Sequence, residues 1–378
     1  MTDPIVISQK EARQLALSCQ GLYHAHHNAL DTIRQLGYVQ IDTISVTERS
    51  HNHVLFTRNP TFKQNELIQL MDDRSIFEYW SHAAAYLPMQ DYRFSLHKKE
   101  EYKNGSIHWF PRDKKVEKYV LDRIKTDGPL QSKDFENPKI KNEWYEWKPA
   151  KIALTNLFME GSIMITNRKG FQKIFDLTER VLPESVNTTK PGTEDYYKYL
   201  GDRAVKAHGL VTLDEIAYLR KGIKTGLKQV LTELLENNEI IATRVNGNEN
   251  TYYATSDTLG VLNNDHKKGN NVHILNPFDN LLIQRKRVKD LFNFDYHIEC
   301  YVPEKKRIFG YYTLPVLYGN KFVMRFDAKA NWKTGVFTVN GYWYEKGFKP
   351  SEKFRNAFNK KLETFALFCG CNTVNKHI

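Results

Sequence analysis

Residues 212–253 read TLDEIAYLRKGIKTGLKQVLTELLENNEIIATRVNGNENTYY, and this stretch decides the fold class. Thr212 and Glu215 stand at capping-box spacing and open a helix that runs to about Leu219. Leu227, Val230, Leu231 and Leu234 follow at i, i+3, i+4 and i+7, one face of a second helix. Ile240 to Thr243, the turn Asn246-Gly247-Asn248 and Tyr252-Tyr253 then spell strand, turn, strand. Helix, turn, helix and hairpin is the winged-helix plan, usually a DNA-binding unit and in other proteins an interaction module.

Working outward, residues 114–180 repeat the plan. Val116, Val120 and Ile124 mark a helix, Gly128-Pro129 breaks it, and Leu154, Leu157 and Phe158 mark a later helix ending at Gly161. Ile163 to Thr166 and Phe171 to Phe175 flank a basic turn, Asn167-Arg168-Lys169-Gly170. The N-terminal stretch is a variant. Leu30 and Ile33 lie on a helix ending near Gly37, a strand follows, and Ser45 with Glu48 predicts a capping box on the next helix. After residue 272 the character changes. Residues 308–317, the turn Gly319-Asn320 and residues 321–326 predict a long hairpin, 336–344 another strand, and 350–368 a helix. The expected architecture is α+β: tandem winged-helix modules with a C-terminal β-rich domain. The segments are 1–110, 111–195, 196–265 and 266–378. No Gly/Ser linker or low-complexity run separates them.

Composition bounds the function. The chain has 378 residues, 41% of them hydrophobic, so it can build several cores. Its net charge is +11, with Lys and Arg spread along the chain rather than gathered in a tail. A folded basic surface suits nucleic acid or acidic membrane lipid, and is also common in proteins that bind neither. Of the 21 Tyr, 21 Phe and 6 Trp most must be core, and the others can stack on bases or wedge into a duplex. No stretch approaches the roughly 18 apolar residues of a membrane span. No basic segment followed by an apolar run opens the chain, so a cytoplasmic location is expected, nucleoid-associated in a bacterium. Cys19 and Cys300 lie in apolar surroundings and are expected as buried thiols, while Cys369 and Cys371 have no partner pair at metal-ligand spacing. Neither a metal, a cofactor nor a disulfide framework is expected.

The segment Tyr38-Val39-Gln40-Ile41-Asp42 reads as a strand. Val39 and Ile41 face the core, and Gln40 and Asp42 share the other face with Cα atoms roughly 6.5–7 Å apart. An amide and a carboxylate at that spacing can orient a water or stabilise a cation. A half-buried strand with one polar face carries the same pattern.

Four segments together resemble a known family, the winged-helix DNA glycosylases of the YcaQ/AlkZ type. They are residues 36–60 (LGYVQIDTISVTERSHNHVLFTRNP), 77–88 (FEYWSHAAAYLP), 170–183 (GFQKIFDLTERVLP) and 276–330, with NPFDNLLIQRKR, IECYVP, RIFGYYTLP and RFDAKA. The resemblance implies a C-shaped body and removal of alkylated bases from DNA, including unhooking of interstrand crosslinks. It also implies a catalytic Gln-aliphatic-Gln/Asp motif, here Gln40-Ile41-Asp42. The Asp form is similar to the YcaQ branch, which is associated with N7-alkylated purines and mustard-type crosslinks. The implied partner is double-stranded DNA carrying such lesions, bound by a monomer without a membrane.

Further candidates for DNA or lesion contact are Arg49, His51, His53, Arg58, His82, Arg168, Lys169, Tyr311 and Lys329. His51 and His53 are two apart on an expected helix and share no face, which argues against a metal pair. Trp80 and Tyr86, beside His82, are candidates for cleft lining. Arg168 and Lys169 sit at an expected wing tip, where backbone phosphate is the natural contact. Lys329 alternates with Asp327 on an expected strand, where a DNA contact competes with a structural ion pair. Two other classes of function compete with the glycosylase reading. A non-enzymatic winged-helix transcriptional regulator would not need Gln40 and Asp42. A nuclease would call for clustered carboxylates around metal, and no convincing cluster is visible.

Overall fold

The computed structural model describes residues 3–105, 109–135, 149–263 and 271–377. The chain forms two compact units, Met1–Phe62 with Tyr197–Ile378, and Lys63–Tyr196. The expected boundary at 265/266 lies outside the described residues.

The deciding stretch folds as its pattern requires. Thr212 and Glu215 cap Leu213–Ile216 reciprocally, through Glu215 N to Thr212 Oγ1 and Thr212 N to Glu215 Oε2. The helix Lys224–Glu236 buries Leu227, Val230, Leu231 and Leu234. Strands Ile241–Val245 and Thr251–Ala254 pair antiparallel. A third strand, Ile5–Ile7, joins this sheet parallel to Ile241–Val245. Three residues are too few for a periodic signal. The helix Arg285–Phe292 is tied to the same module by buried Arg287, which donates to Glu215 Oε2, Leu210 O and His208 O.

In the unit Lys63–Tyr196, the helices Lys114–Asp127 and Pro149–Glu160 accompany a small sheet. Its strand order is Leu130–Gln131, Gln172–Leu177, Ile163–Lys169, with both pairings antiparallel. A second hairpin, Ile76–Trp80 with Ala84–Pro88, belongs to this unit.

Two N-terminal expectations need correction. The strand of the Gln-Ile-Asp motif is only Val39–Gln40. Asp42 Oδ1 accepts from Ile44 N at 2.7 Å, and this side-chain-to-backbone turn ends the extended run. The inward pair is as expected, with Val39 0% and Ile41 7% exposed. The following helix is Ser50–Arg58, and its N-cap Arg49 makes no side-chain capping bond. Ser45 and Glu48 do not start a helix. Glu48 instead accepts from Arg49 N and Asn52 Nδ2, closing the helix start from one residue outside.

The C-terminal sheet has five strands in the order Val272–Ile274, Thr313–Tyr318, Lys321–Asn331, Val336–Tyr344, Thr373–Lys376. All neighbours are antiparallel except the last pair. The hairpin begins at Thr313, later than the expected 308, because residues 308–310 give their amides to a side chain (below). The helix Glu352–Phe368 buries Phe354, Phe358, Leu362, Phe365 and Ala366. Phe365 lies 5.7 Å from Phe337 and 4.3 Å from His53, and Phe368 stacks on Phe56 at 3.9 Å. The helix Ser50–Arg58 is therefore covered, and every one of its residues is buried. The α+β class with winged-helix units and a C-terminal sheet is the observed one.

Candidate active site

The motif begins where a helix is forced to stop. Ala29–Leu36 ends at Gly37, in the left-handed region at φ +74°. A Cβ there would collide with the Arg203 side chain, whose guanidinium donates to Gly37 O. Only glycine meets both demands. Tyr38 follows, and its carbonyl accepts from Asn280 Nδ2 at 2.9 Å. Gln40 comes next, 7% exposed, and Asp42 is half-buried. Asp42 is held through Oδ1 alone and makes no other hydrogen bond among the described residues.

Behind this motif lies the turn Asn276-Pro277-Phe278-Asp279-Asn280, where Asn276, Asp279 and Asn280 are all 2% exposed or less. Asn276 Oδ1 accepts from Phe278 N and Asp279 Oδ1 from Leu281 N, two side-chain turns in succession. The same side chains reach outward. Asn276 Nδ2 donates to Tyr312 Oη at 3.2 Å and lies 3.4 Å from His53 Nδ1. Asp279 grips Arg58 with both oxygens, at 2.7 and 2.8 Å. Asn280 holds Tyr38. One turn thus fixes the entry to the Gln-Ile-Asp motif, the end of helix Ser50–Arg58 and the Tyr312 hydroxyl.

Residues 299–312 form the other wall. The buried Glu299 carboxylate accepts from the amides of Ile308, Phe309 and Gly310. Asp327 accepts from Tyr312 N and Asn340 Nδ2. Gly310, at φ +112°, lies so close to Asp327 that a Cβ would come within 2.7 Å of its Cγ. The loop held this way carries exposed Tyr301 (77%), Ile308 (72%) and Tyr311 (40%), with the Arg307 guanidinium 5.0 Å from the Tyr311 ring centre. Asp42 makes itself felt here. Burial first, and then the negative charge of Asp42, raises the Cys300 thiol. Tyr301 and Tyr312 are raised chiefly by burial, with Asp42 adding to it. Cys300 is half-buried beside a carboxylate, not the plain buried thiol that its apolar neighbours in sequence suggest.

The remaining candidates divide by exposure. Arg58 is corrected: its side chain is 0% exposed, and all its donors are engaged by Asp279, Gln20 O, Gln20 Oε1 and Val54 O. No phosphate can reach it. His53 is corrected likewise. It is 0% exposed, with Nε2 2.9 Å from Ile274 O, and burial pushes its ring down to about 4. His51 is buried in the same helix, and Arg49 at the helix start is half-buried. Lys329 is exposed and makes no ion pair among the described residues. A register shift after Asp327 separates it from that buried carboxylate.

In the unit Lys63–Tyr196, His82 is half-buried in the turn between Trp80 and Ala84. Trp80 meets Trp109 edge-on at 4.4 Å, and Tyr86 is buried. Arg168 is corrected. It turns back to pair with both oxygens of buried Glu78 and donates to Phe171 O, so the wing tip offers Lys169 alone. Among the described residues no group of three or more His, Cys, Asp and Glu side chains is placed to hold a metal ion.

Winged-helix units and a C-terminal β sheet, with a Gln-Ile-Asp motif braced beside an aromatic loop, are a frame suited to a DNA-processing protein. The sequence matches the AlkZ-like family, described as DNA glycosylase AlkZ-like, over residues 33–368, and the chain belongs to that family. It is a DNA glycosylase, which sets the regulator alternative aside. The fold is shared with the solved structure of Streptomyces sahachiroi DNA glycosylase AlkZ. The TM-score is 0.67 at 13% identity, over 99% of this chain and 100% of that one.

Proposed function

We propose that this glycosylase hydrolyses the N-glycosidic bond of N7-alkylated purines and unhooks interstrand crosslinks of the same chemistry, with Asp42 and Gln40 as the catalytic pair. The observation that carries the reading is Asp42 itself. One of its carboxylate oxygens is fixed by Ile44 N, and no hydrogen bond from the described residues takes the other. Alkylation at N7 leaves the purine cationic, so the departing base needs no proton. What remains is to stabilise an oxocarbenium-like sugar and to activate a water. A carboxylate beside C1′ does both, by charge and as general base; glycoside hydrolases use similar logic. Gln40, donor and acceptor at once, orients the water or a sugar-phosphate oxygen. A crosslinked base stays attached to the second strand and cannot swing fully into a pocket as flipped bases do. An open approach suits that lesion, and the exposed rings of the 299–312 loop beside Asp42 supply a surface for it. The Asp of the motif favours the branch with the broader substrate range. The protein is taken to act as a monomer without metal or cofactor.

The test is single-turnover excision of N7-methylguanine from duplex DNA. Asp42→Asn keeps the shape but removes charge and basicity, and should lower the rate by roughly 10²–10³ or more. Gln40→Ala should cost less, because orientation is lost and charge is not. Wild-type excision by Asp42→Asn, with an unchanged melting curve, would move the chemistry elsewhere.

A further inference from the structure

We propose that a cavity in the unit Met1–Phe62 with Tyr197–Ile378, walled by the helix Glu352–Phe368, the strand Val272–Ile274 and residues 21–25, binds a phosphate monoester carried on an apolar or aromatic body, of which a nucleoside monophosphate is the simplest. Its volume is about 400 Å³. That lies in the range of small-molecule sites and is far larger than a lone phosphate needs. Its charge is one-sided. Lys360, Lys361, His273 and Arg58 are among its fourteen lining residues, and none of the fourteen is acidic. Arg58 is neutralised by Asp279. Lys361 is not neutralised: its ammonium sits 5.2 Å from the Phe56 ring centre, and among the described residues it pairs with no carboxylate.

A partly buried ammonium without a counter-ion is costly, and burial lowers its proton affinity accordingly. A ligand anion removes that cost. His273 adds a second unmet group, since its Nδ1 is buried without a hydrogen-bond partner. Burial pushes that ring down to about 4, so it stands neutral beside the lysines. Thr57, Asn271 and Thr364 add neutral polar groups, and the rest of the lining, including Leu22, Tyr23, Val272 and Ala357, is apolar or aromatic. This calls for more than an inorganic ion. The cavity is distinct from the Gln40/Asp42 motif, as none of the motif's residues lines it.

The experiment is calorimetric titration of the full chain with dGMP, deoxyguanosine and inorganic phosphate. We expect dGMP to bind, phosphate to bind more weakly and deoxyguanosine not to bind measurably. Lys361→Met, which keeps the packing on Phe56, should weaken dGMP by roughly tenfold or more, the loss carried by one charge-assisted hydrogen bond. Lys361→Arg should retain it, and Asp42→Asn should bind dGMP as wild type does. Competition with undamaged duplex identifies the source of the phosphate. Displacement of dGMP by a duplex with 5′-phosphate ends, but not by one with 5′-hydroxyl ends, assigns the cavity to a terminal DNA phosphate, and simultaneous binding assigns it to a free nucleotide; both outcomes uphold a phosphate monoester site. Four results overturn the proposal: no heat from dGMP at millimolar concentration, equal binding of deoxyguanosine, unchanged affinity in Lys361→Met, or loss of binding in Asp42→Asn. Should Lys361→Met fail to fold, the wild-type comparison of dGMP with deoxyguanosine decides alone. Excision activity is not the readout, so failure here leaves the proposed glycosylase chemistry standing.

Discussion

Replacing Asp279 by Asn tests whether the turn behind the motif holds the site together. The carboxylate and the Arg58 side chain are both 0% exposed and meet through two bonds, of 2.7 and 2.8 Å. Asn preserves the shape and one acceptor. It also places an NH₂ group against the guanidinium and leaves a full positive charge in the core. Removing one partner of a buried pair costs about 3–5 kcal/mol, because the other charge is left uncompensated. Asp279 Oδ1 also accepts from Leu281 N, so the cost is not confined to the pair. For a unit of this size that corresponds to a fall in melting temperature of about 6–10 °C. Scanning calorimetry measures it directly. Arg58→Lys makes the complementary point, since Lys cannot reproduce the five-donor fork. It should melt early, yet leave the dependence of duplex affinity on salt unchanged, because no phosphate contact is lost. Melting of Asp279→Asn within about 2 °C of wild type would refute the account of the buried pair. A stable Arg58→Lys with a shallower salt slope would return Arg58 to the DNA interface.

Two further expectations concern the same region. Asn280→Ala removes the donor to Tyr38 O and should lower single-turnover excision by about tenfold while leaving KM for the damaged duplex unchanged; a parallel loss in KM, or none in rate, would deny Asn280 a positioning role. Stability should fall on acidification. His53 titrates near 4 when folded against an ordinary 6.5, so between those values the unfolded chain binds more protons. Its contribution is full above pH 6.5 and is lost as pH falls toward 4, facing Arg58, Lys361 and Asp279 throughout. A melting temperature that stays constant across that window would contradict a buried neutral ring.

What the sequence disclosed was local. Leu227, Val230, Leu231 and Leu234 announce their helix because the signal spans eleven residues or fewer, and Thr212 with Glu215 announces its start within four. The Gln40-Ile41-Asp42 motif is legible for the same reason, although the side-chain turn at Asp42 is not. The directions of Arg58, His53 and Arg168 depend on partners far away in the chain. Asp279 is 221 residues from Arg58, and Glu78 is 90 from Arg168. One signal did point that way. Asn276, Asp279 and Asn280 interrupt an apolar run from Val272 to Ile283, and buried polar groups must find partners. Such a cluster announces long-range bonds without saying to what. The correction nevertheless leaves the electrostatic expectation intact. Arg58, Arg168, Arg287 and Arg325 each pair with one carboxylate, so every pair withdraws one charge of each sign and the net +11 still rests on the remaining groups. Lys169 and Lys329 remain exposed, and attraction to DNA that depends on net charge does not require the arginines that turned inward.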